Sequence, residues 1–343
     1  MRDDAVRDIF PDGRKFNLEI RFNMPDVVCV GILVADVFGD RIDALPRAGE
    51  LALLNRYLLS VGGCAANTAV DLARVGRSTR VLGKVGKDIF GDYVLQDLER
   101  QGCDTSYVRR SETHPTAITF VANVKGEDRR FFHCFGANSD FSIADIDASA
   151  LQGARALYVG GYFAMPAFQP QHLLKLFQEA KQLGLITALD VVIAAGSPCR
   201  LEEIGPVLSC TDLFLPNTDE AAILTGSKDP FEQAEILGRF NLQGTIVVTL
   251  GGEGAVARRG SQVLRAEAFK VDAIDGAGAG DAFDAGFLVG MMEGWPLEDS
   301  LRFASALGAS CTRALGCSTS VFRYDEAVAF LAQNHLAIEK IKA

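Results

Sequence analysis

Three glycines alternate with alanine and run directly into an aspartate and an apolar helical pattern at Asp275-Gly276-Ala277-Gly278-Ala279-Gly280-Asp281-Ala282-Phe283. Such a join sets a permissive turn against a helix N-terminus, because glycine takes backbone angles that other residues avoid and the first helical N–H groups lack partners. Those groups, with the positive end of the helix dipole, can seat an anion such as a phosphate. Asp281, at the edge of that seat, could take the proton of a hydroxyl attacking a phosphoryl group. An aspartate near the start of a helix after an ordinary glycine turn would look the same, and the stretch alone weighs the two readings evenly. Two other glycine-rich templates fail: the dinucleotide fingerprint needs a third glycine where Asp281 stands, and Gly-Lys-Ser/Thr occurs nowhere in the chain.

A chain of 343 residues that is 48% hydrophobic can bury a large core in one α/β domain or two. A formal charge of −10 without a basic cluster speaks against nucleic acid or an anionic membrane as partner. No apolar run approaches the ~20 residues of a membrane span, and the opening Met-Arg-Asp-Asp lacks a signal-peptide core, so a cytoplasmic location is expected. Eight scattered cysteines without Cys-x-x-Cys spacing read as reduced, mostly buried thiols. The four histidines, His133 among them, read as surface or packed side chains.

Residues 1–25 show no clear period and are read as a partly disordered extension. The apolar run Val27–Val34 predicts a strand buried on both faces, with Asp36 following at its carboxyl end. Ligands of open α/β sheets gather there, so Asp36 is either a hydroxyl-binding carboxylate or a turn former. Interrupted strand patterns occupy about 37–60 and 113–135, the second with a hairpin turn at 125–128. Between them, Val61-Gly62-Gly63-Cys64-Ala65-Ala66-Asn67 leads into a helix of small residues that ends on Gly76. From about Ala154 strands and helices alternate, which implies parallel crossovers: strands at 156–161, 186–193, 212–215 and 245–250, with helices at 169–183, through Ala221 and at 231–240. Asn217 and Glu220 follow the third of these strands with the spacing of a capping box, and Thr249 to Gly254 reads as a hairpin turn on its own.

Taken together, these stretches resemble the ribokinase or pfkB family of carbohydrate kinases. Its C-terminal signature, Asp-Thr-Thr-Gly-Ala-Gly-Asp-x-Phe, is met at Asp275, Gly278, Ala279, Gly280, Asp281 and Phe283, with Gly276 and Ala277 replacing the threonines. Its N-terminal signature, Gly-Gly-x-x-x-Asn-x-Ala, is met at Gly62, Gly63, Asn67 and Ala69, and its Asn-x-x-Glu element at Asn217 and Glu220. The resemblance implies an α/β fold, a ribokinase-like three-layer α/β/α core with a mostly parallel central sheet and a small β-strand lid at about 37–60 and 113–135. It places the kinase domain at 26–335 and leaves 336–343 as a C-terminal tail.

The implied activity is ATP-dependent phosphorylation of a sugar hydroxyl with Mg2+. Asp281 would be general base, with Gly278, Ala279 and Gly280 as the anion hole. Asp36, Gly63, Cys64 and Asn67 would hold the acceptor. Asn217, Thr249, Gly251 and Gly254 would serve the nucleotide, with Glu220 on magnesium through water. Asp275, Ala277, Cys311, Ala314, Gly316 and Ser320 align with the potassium loop of activated relatives. A homodimer through the lid is also implied. Ribokinases proper usually carry lysine where this chain has Cys64 and a glutamate where it runs Gly160-Gly161-Tyr162, which weakens the case for ribose, and the scarcity of cations on the substrate side apart from Arg129 and Arg130 makes a neutral sugar or nucleoside expected over a sugar phosphate. A keto-deoxy sugar acid would require Arg129 or Arg130 to point inward, and a nucleoside would require a base pocket, for which Tyr162 and Phe163 are candidates. The competing class is a non-catalytic sugar- or nucleotide-sensing protein of the same fold.

Overall fold

Val27–Gly31 is buried along its whole length, as a β-branched run becomes when helices cover both faces of a sheet. Val27 and Cys29 enter one core cluster, and Val28 and Val30 the other. In the computed structural model, which describes residues 24–126, 130–193 and 199–341, this strand belongs to a nine-stranded sheet. The spatial order is 338–341, 262–266, 255–259, 245–249, 213–214, 186–189, 156–160, 27–31 and 79–82. Pairing is parallel from 79–82 through to 245–249 and antiparallel among the remaining strands.

Helices Cys64–Arg74, Ala279–Met292 and Leu297–Cys311 cover one face. Pro170–Gln182, Leu201–Leu208 and Pro230–Gly238 cover the other. The result is the expected three-layer α/β/α arrangement. Small side chains at Ala65, Ala66 and Ala69 let the first of these helices lie close to Ala279–Met292. Burial of a side chain such as Phe287, 0% exposed, contributes about 1.5–3 kcal/mol.

A second sheet, in the order Tyr57–Gly62, Val34–Gly39, Ala117–Ala122 and Arg130–Cys134, forms the lid. Register partners across it share a face, so Asp36, Thr119 and His133 stand together on one side. Phe120, Phe132 and Arg130 stand on the other.

Three sequence expectations change. The run Val27–Val34 is not one strand, because the chain leaves the central sheet at Gly31. There φ is +147° and a Cβ would lie 2.1 Å from the Gly160 carbonyl oxygen, so only glycine fits. Asp36 therefore rides on the lid rather than on the central sheet's edge. The second lid strand begins at Tyr57, later than the apolar letters from Ala52 suggest. The segment read as a tail supplies an edge strand, Ile338–Ile341, paired with Gln262–Ala266, and Leu336 before it is buried. The extension over 1–25 lies outside the described residues except for Met24 and Pro25, as do Glu127 and Asp128 of the 125–128 turn. All eight cysteines are free, four of them buried. Among the described residues no helix is long and apolar enough to cross a membrane.

Candidate active site

The glycine turn closes over the end of the site helix. Gly278 has φ +78°, and a Cβ on it would stand 2.1 Å from the Cys317 carbonyl oxygen. Asp275 steadies the turn by accepting from the Ala277 N–H at 3.1 Å. Helix Ala279–Met292 starts with no side-chain cap, so its first N–H groups still face outward as an anion seat should. Gly280 has nothing within 4 Å of its absent Cβ. Its lack of a side chain leaves open space rather than relieving a clash.

Asp281 lies in the first turn of that helix, half-buried. The Asn67 amide donates to its carboxylate at 2.8 Å and the Thr68 hydroxyl to its backbone oxygen at 3.4 Å. The Cys64 thiol, Asp190 and Asp281 place one ligand-type atom each within 4.8 Å of one another. Burial raises the Asp281 pKa, while hydrogen bonds from Asn67 and Cys64 oppose it. Burial also pushes the Cys64 thiol well up, with both carboxylates adding to the shift, so it stays a neutral donor.

Asp36 comes in from the lid. Its carboxylate rests on Gly62, where a Cβ would be 1.8 Å from Oδ2, and the Cys317 thiol donates to that oxygen at 3.6 Å. Burial lifts its pKa to about 6, against hydrogen bonds from Thr119 and Cys317. Gly63 has φ +92° and a Cβ there would meet the Ile32 carbonyl at 2.4 Å, so this glycine is required by the close approach of two backbones.

On the other side of the turn lies a cavity of about 900 Å³. Thr249, Gly251, Gly254, Phe269, Gly280 and Phe283 are among its walls. The hairpin reading of 249–254 also holds, since the flanking strands pair antiparallel from Thr249↔Ala255. Asn217 caps its helix, accepting from Asp219 and Glu220, while Glu220 Oε2 accepts from the Asn217 N–H at 2.9 Å. The capping box is therefore real. Yet Glu220 is buried, and burial lifts its pKa to about 7 against its backbone bonds.

Glu220 has company that the sequence did not announce. Asp190 accepts from the Gly161 N–H at 2.9 Å, and its pKa is raised well up by burial and by the charges of Glu220 and Asp281. Asp284, 3% exposed, accepts from the Tyr158 hydroxyl at 2.9 Å and is raised by burial, Asp190 and Asp281. The carboxylate oxygens of Asp190 and Asp281 come within 4.8 Å of each other, a hard oxygen pair of the kind magnesium takes beside phosphate oxygens. Asp190 sits inside an apolar strand-like run, and its place at the carboxyl end of Ile186–Leu189 was the signal that could have found it.

The potassium loop is only partly assembled for a cation. Cys311 donates its thiol to the Ala277 and Cys317 carbonyls at 3.3 and 2.9 Å. Ser320 donates its hydroxyl to the Ser310 and Cys311 carbonyls at 2.7 and 2.9 Å. Asp275, Ala277, Cys311 and Ser320 thus meet around one loop, with Ala314 and Gly316 on its turn. Internal donors already occupy several of the oxygens a cation would need.

Tyr162 is 2% exposed and packs in the second core cluster against Phe163 and Phe168, so it does not face a ligand. Arg130 lies on the outer face of the lid, opposite Asp36, and Arg129 is outside the described residues.

A helix start with open N–H groups, a carboxylate beside it and an open cavity at the carboxyl edge of a parallel sheet are the parts that phosphoryl transfer uses in α/β folds. The sequence model of the "pfkB family carbohydrate kinase" matches residues 24–322. The chain is 26% identical over 306 residues to the ribokinase of Haemophilus influenzae, covering 87% of this chain and 97% of that protein. It is 27% identical over 305 residues to a 5-dehydro-2-deoxygluconokinase of Clostridium beijerinckii, covering 85% and 88%. Among solved structures, Arabidopsis thaliana ribokinase complexed with ribose and ATP superposes with a TM-score of 0.76 at 24% identity, over 90% of this chain and 99% of that one. A putative ribokinase from Agrobacterium tumefaciens gives 0.79 at 22%, over 91% and 98%. The protein belongs to the pfkB family of carbohydrate kinases, and it is an ATP-dependent sugar kinase with the ribokinase fold.

Proposed function

We propose that this kinase phosphorylates a hydroxyl of a neutral sugar, with Asp281 as general base. The observation that carries the reading is the position of Asp281: in the first turn of the anion-seating helix and held by Asn67 at 2.8 Å. The acceptor would lie between Asp36, Gly63, Asn67 and Cys64, where carboxylates and the amide can take up hydroxyl hydrogens. ATP would occupy the cavity lined by Thr249, Gly251 and Gly254, with its terminal phosphate toward Gly278 to Gly280. As the acceptor hydroxyl attacks in line, Asp281 takes its proton and the helix N–H groups receive the charge spreading over the phosphoryl oxygens. Glu220 and Asp190 would hold magnesium, which when bound neutralises phosphate charge. No step depends on potassium.

A neutral acceptor is favoured because the charged neighbours that shift Asp36, Asp190 and Asp284 are all carboxylates. An anionic sugar would meet repulsion there, and Arg130 faces away. The test is ADP release with ATP against neutral sugars, sugar acids, sugar phosphates and nucleosides, with magnesium supplied or chelated. Turnover confined to neutral sugars and lost with EDTA is expected. Preferential turnover of an acid or a sugar phosphate would refute the acceptor class, and ATP or sugar binding without any turnover would favour a sensing protein.

The outer lid face supports a homodimer: Tyr57 is 75%, Phe120 39% and Phe132 58% exposed. Apolar patches of this kind mark interaction surfaces. Light scattering should give twice the 36.8 kDa chain mass, and Phe132→Lys should return the monomer; a wild-type monomer at micromolar concentration would refute it.

A further inference from the structure

After helix Leu297–Cys311 the chain returns beneath the lid at Gly316 and Cys317. A Cβ built on Gly316 would meet Leu58 at 3.3 Å and the Ser60 hydroxyl at 3.6 Å, so this turn lies against strand Tyr57–Gly62. Cys317, 4% exposed, joins Phe38 and Val121 of the lid in a small apolar cluster, against which Leu58 and Ala277 pack. Asp36 stands two residues before Phe38 and on the same face of their strand, and the Cys317 thiol donates to Asp36 Oδ2 at 3.6 Å. The backbone of Cys317 meets the glycine turn instead. Its carbonyl oxygen is 2.1 Å from a Cβ built on Gly278, and it accepts from the Cys311 thiol at 2.9 Å. One residue therefore reaches the Asp36 carboxylate through its side chain and the phosphoryl seat through its backbone.

The direction of the bond follows from the groups. An ionised carboxylate can only accept, and a thiol carries one hydrogen to give. Burial pushes the Cys317 thiol well up and the charge of Asp36 adds to the shift, so the sulfur keeps its hydrogen. We propose that Cys317 is a positioning residue for acceptor recognition: its thiol holds Asp36 in register with the phosphoryl seat that its own carbonyl backs. The inference rests on the reading of Asp36 as an acceptor-binding carboxylate. Asp36 is carried by the lid sheet and Gly278 by the turn before the site helix, so the reach from acceptor hydroxyl to phosphate depends on how these two parts are joined. With Oδ2 engaged by the thiol and pressed on Gly62, rotation of the carboxylate is limited. A neutral donor does this without setting a cation beside the acceptor.

Infrared difference spectra of the full-length protein, wild type minus Cys317→Ala, isolate the Cys317 S–H stretch in a window free of other protein bands. With Asp36 ionised, the band is expected below that of an unbonded thiol, and it should move up in Asp36→Asn and as pH falls through about 6. With the sugar turned over in the panel assay, Cys317→Ala should raise the acceptor KM about three- to tenfold. The KM for ATP and kcat should stay within about twofold, because the backbone that meets Gly278 is unchanged. The acid limb of the acceptor kcat/KM should move to higher pH, since a bond to the ionised carboxylate is lost while the other charges that bear on Asp36, those of Asp281 and Asp275, remain. Cys317→Ser keeps a donor and should bring both quantities back toward wild type, whereas lost packing would leave the acid limb in place. A band at the unbonded frequency, or one unmoved by Asp36→Asn, overturns the bond whether or not a sugar substrate is found. Unchanged acceptor KM and acid limb in Cys317→Ala overturn the recognition role while leaving the kinase reading intact. Absence of wild-type turnover instead counts against that reading, and the infrared band still decides the bond.

Discussion

Asp281→Asn is expected to lower kcat by about 10²–10⁴-fold while ATP binds with nearly unchanged affinity, measured as single-turnover phosphoryl transfer beside nucleotide titration. Asparagine keeps the shape and can still bond Asn67, but it cannot take a proton. The pH profile supplies an independent check. Asp281 and Asp36 must both be ionised to accept from hydroxyls, and burial raises both pKa values, that of Asp36 to about 6. The acceptor kcat/KM of the wild type should therefore fall as pH drops through about 6, well above the range of an ordinary aspartate. Stability runs the other way. Because burial raises the folded-state pKa of Asp36 above the ordinary aspartate value of about 3.9, its contribution is full below that value and is lost as pH rises through about 6. Asp36→Asn should abolish that decline while impairing acceptor binding. A loss of ATP affinity equal to the loss of kcat in Asp281→Asn would remove the aspartate from the role of base and make it a structural support.

Gly280→Ala is expected to separate folding from function in the opposite direction. Its position is helical, with nothing within 4 Å of a built Cβ. Alanine should stabilise the helix by about 0.5–1 kcal/mol in chemical denaturation. The added methyl would enter the space assigned to the transferring phosphoryl, so kcat/KM for ATP should fall by at least about tenfold. Gly278→Ala supplies the contrast: with φ +78° and the Cys317 carbonyl oxygen 2.1 Å from the new Cβ, it should destabilise the fold and distort the turn together. If Gly280→Ala were both more stable and fully active, the anion seat would lie elsewhere.

These two glycines show why the site was only partly legible. In the sequence Gly278 and Gly280 are equal members of one glycine run; the structure sets one against the Cys317 backbone and leaves the other facing open space. Asn217 and Glu220 had two readings, a capping box and a metal-side pair, and the structure contains the first while burying Glu220 beside Asp190. Asp190 was hidden in apolar letters at the end of Ile186–Leu189, while His133 is exposed on the lid strand, as its surface reading expected. Tyr162 looked available for a base and is buried, because the φ +72° turn at Gly161 sends the chain back into the core.

Local order and chemistry were set by the sequence alone: β-branched runs that require cover on both faces, a glycine run followed by an apolar helical pattern, and the family of the chain. Periodicity and backbone permissiveness act within a few residues, so they survive in a one-dimensional string. Which carboxylates share a site was decided only by the tertiary structure. Asp36, Asp190, Asp281 and Glu220 come from four distant segments, and their raised pKa values exist because folding withdraws them from water and presses their charges together. Desolvation and Coulomb repulsion depend on distance in space, which sequence spacing does not encode.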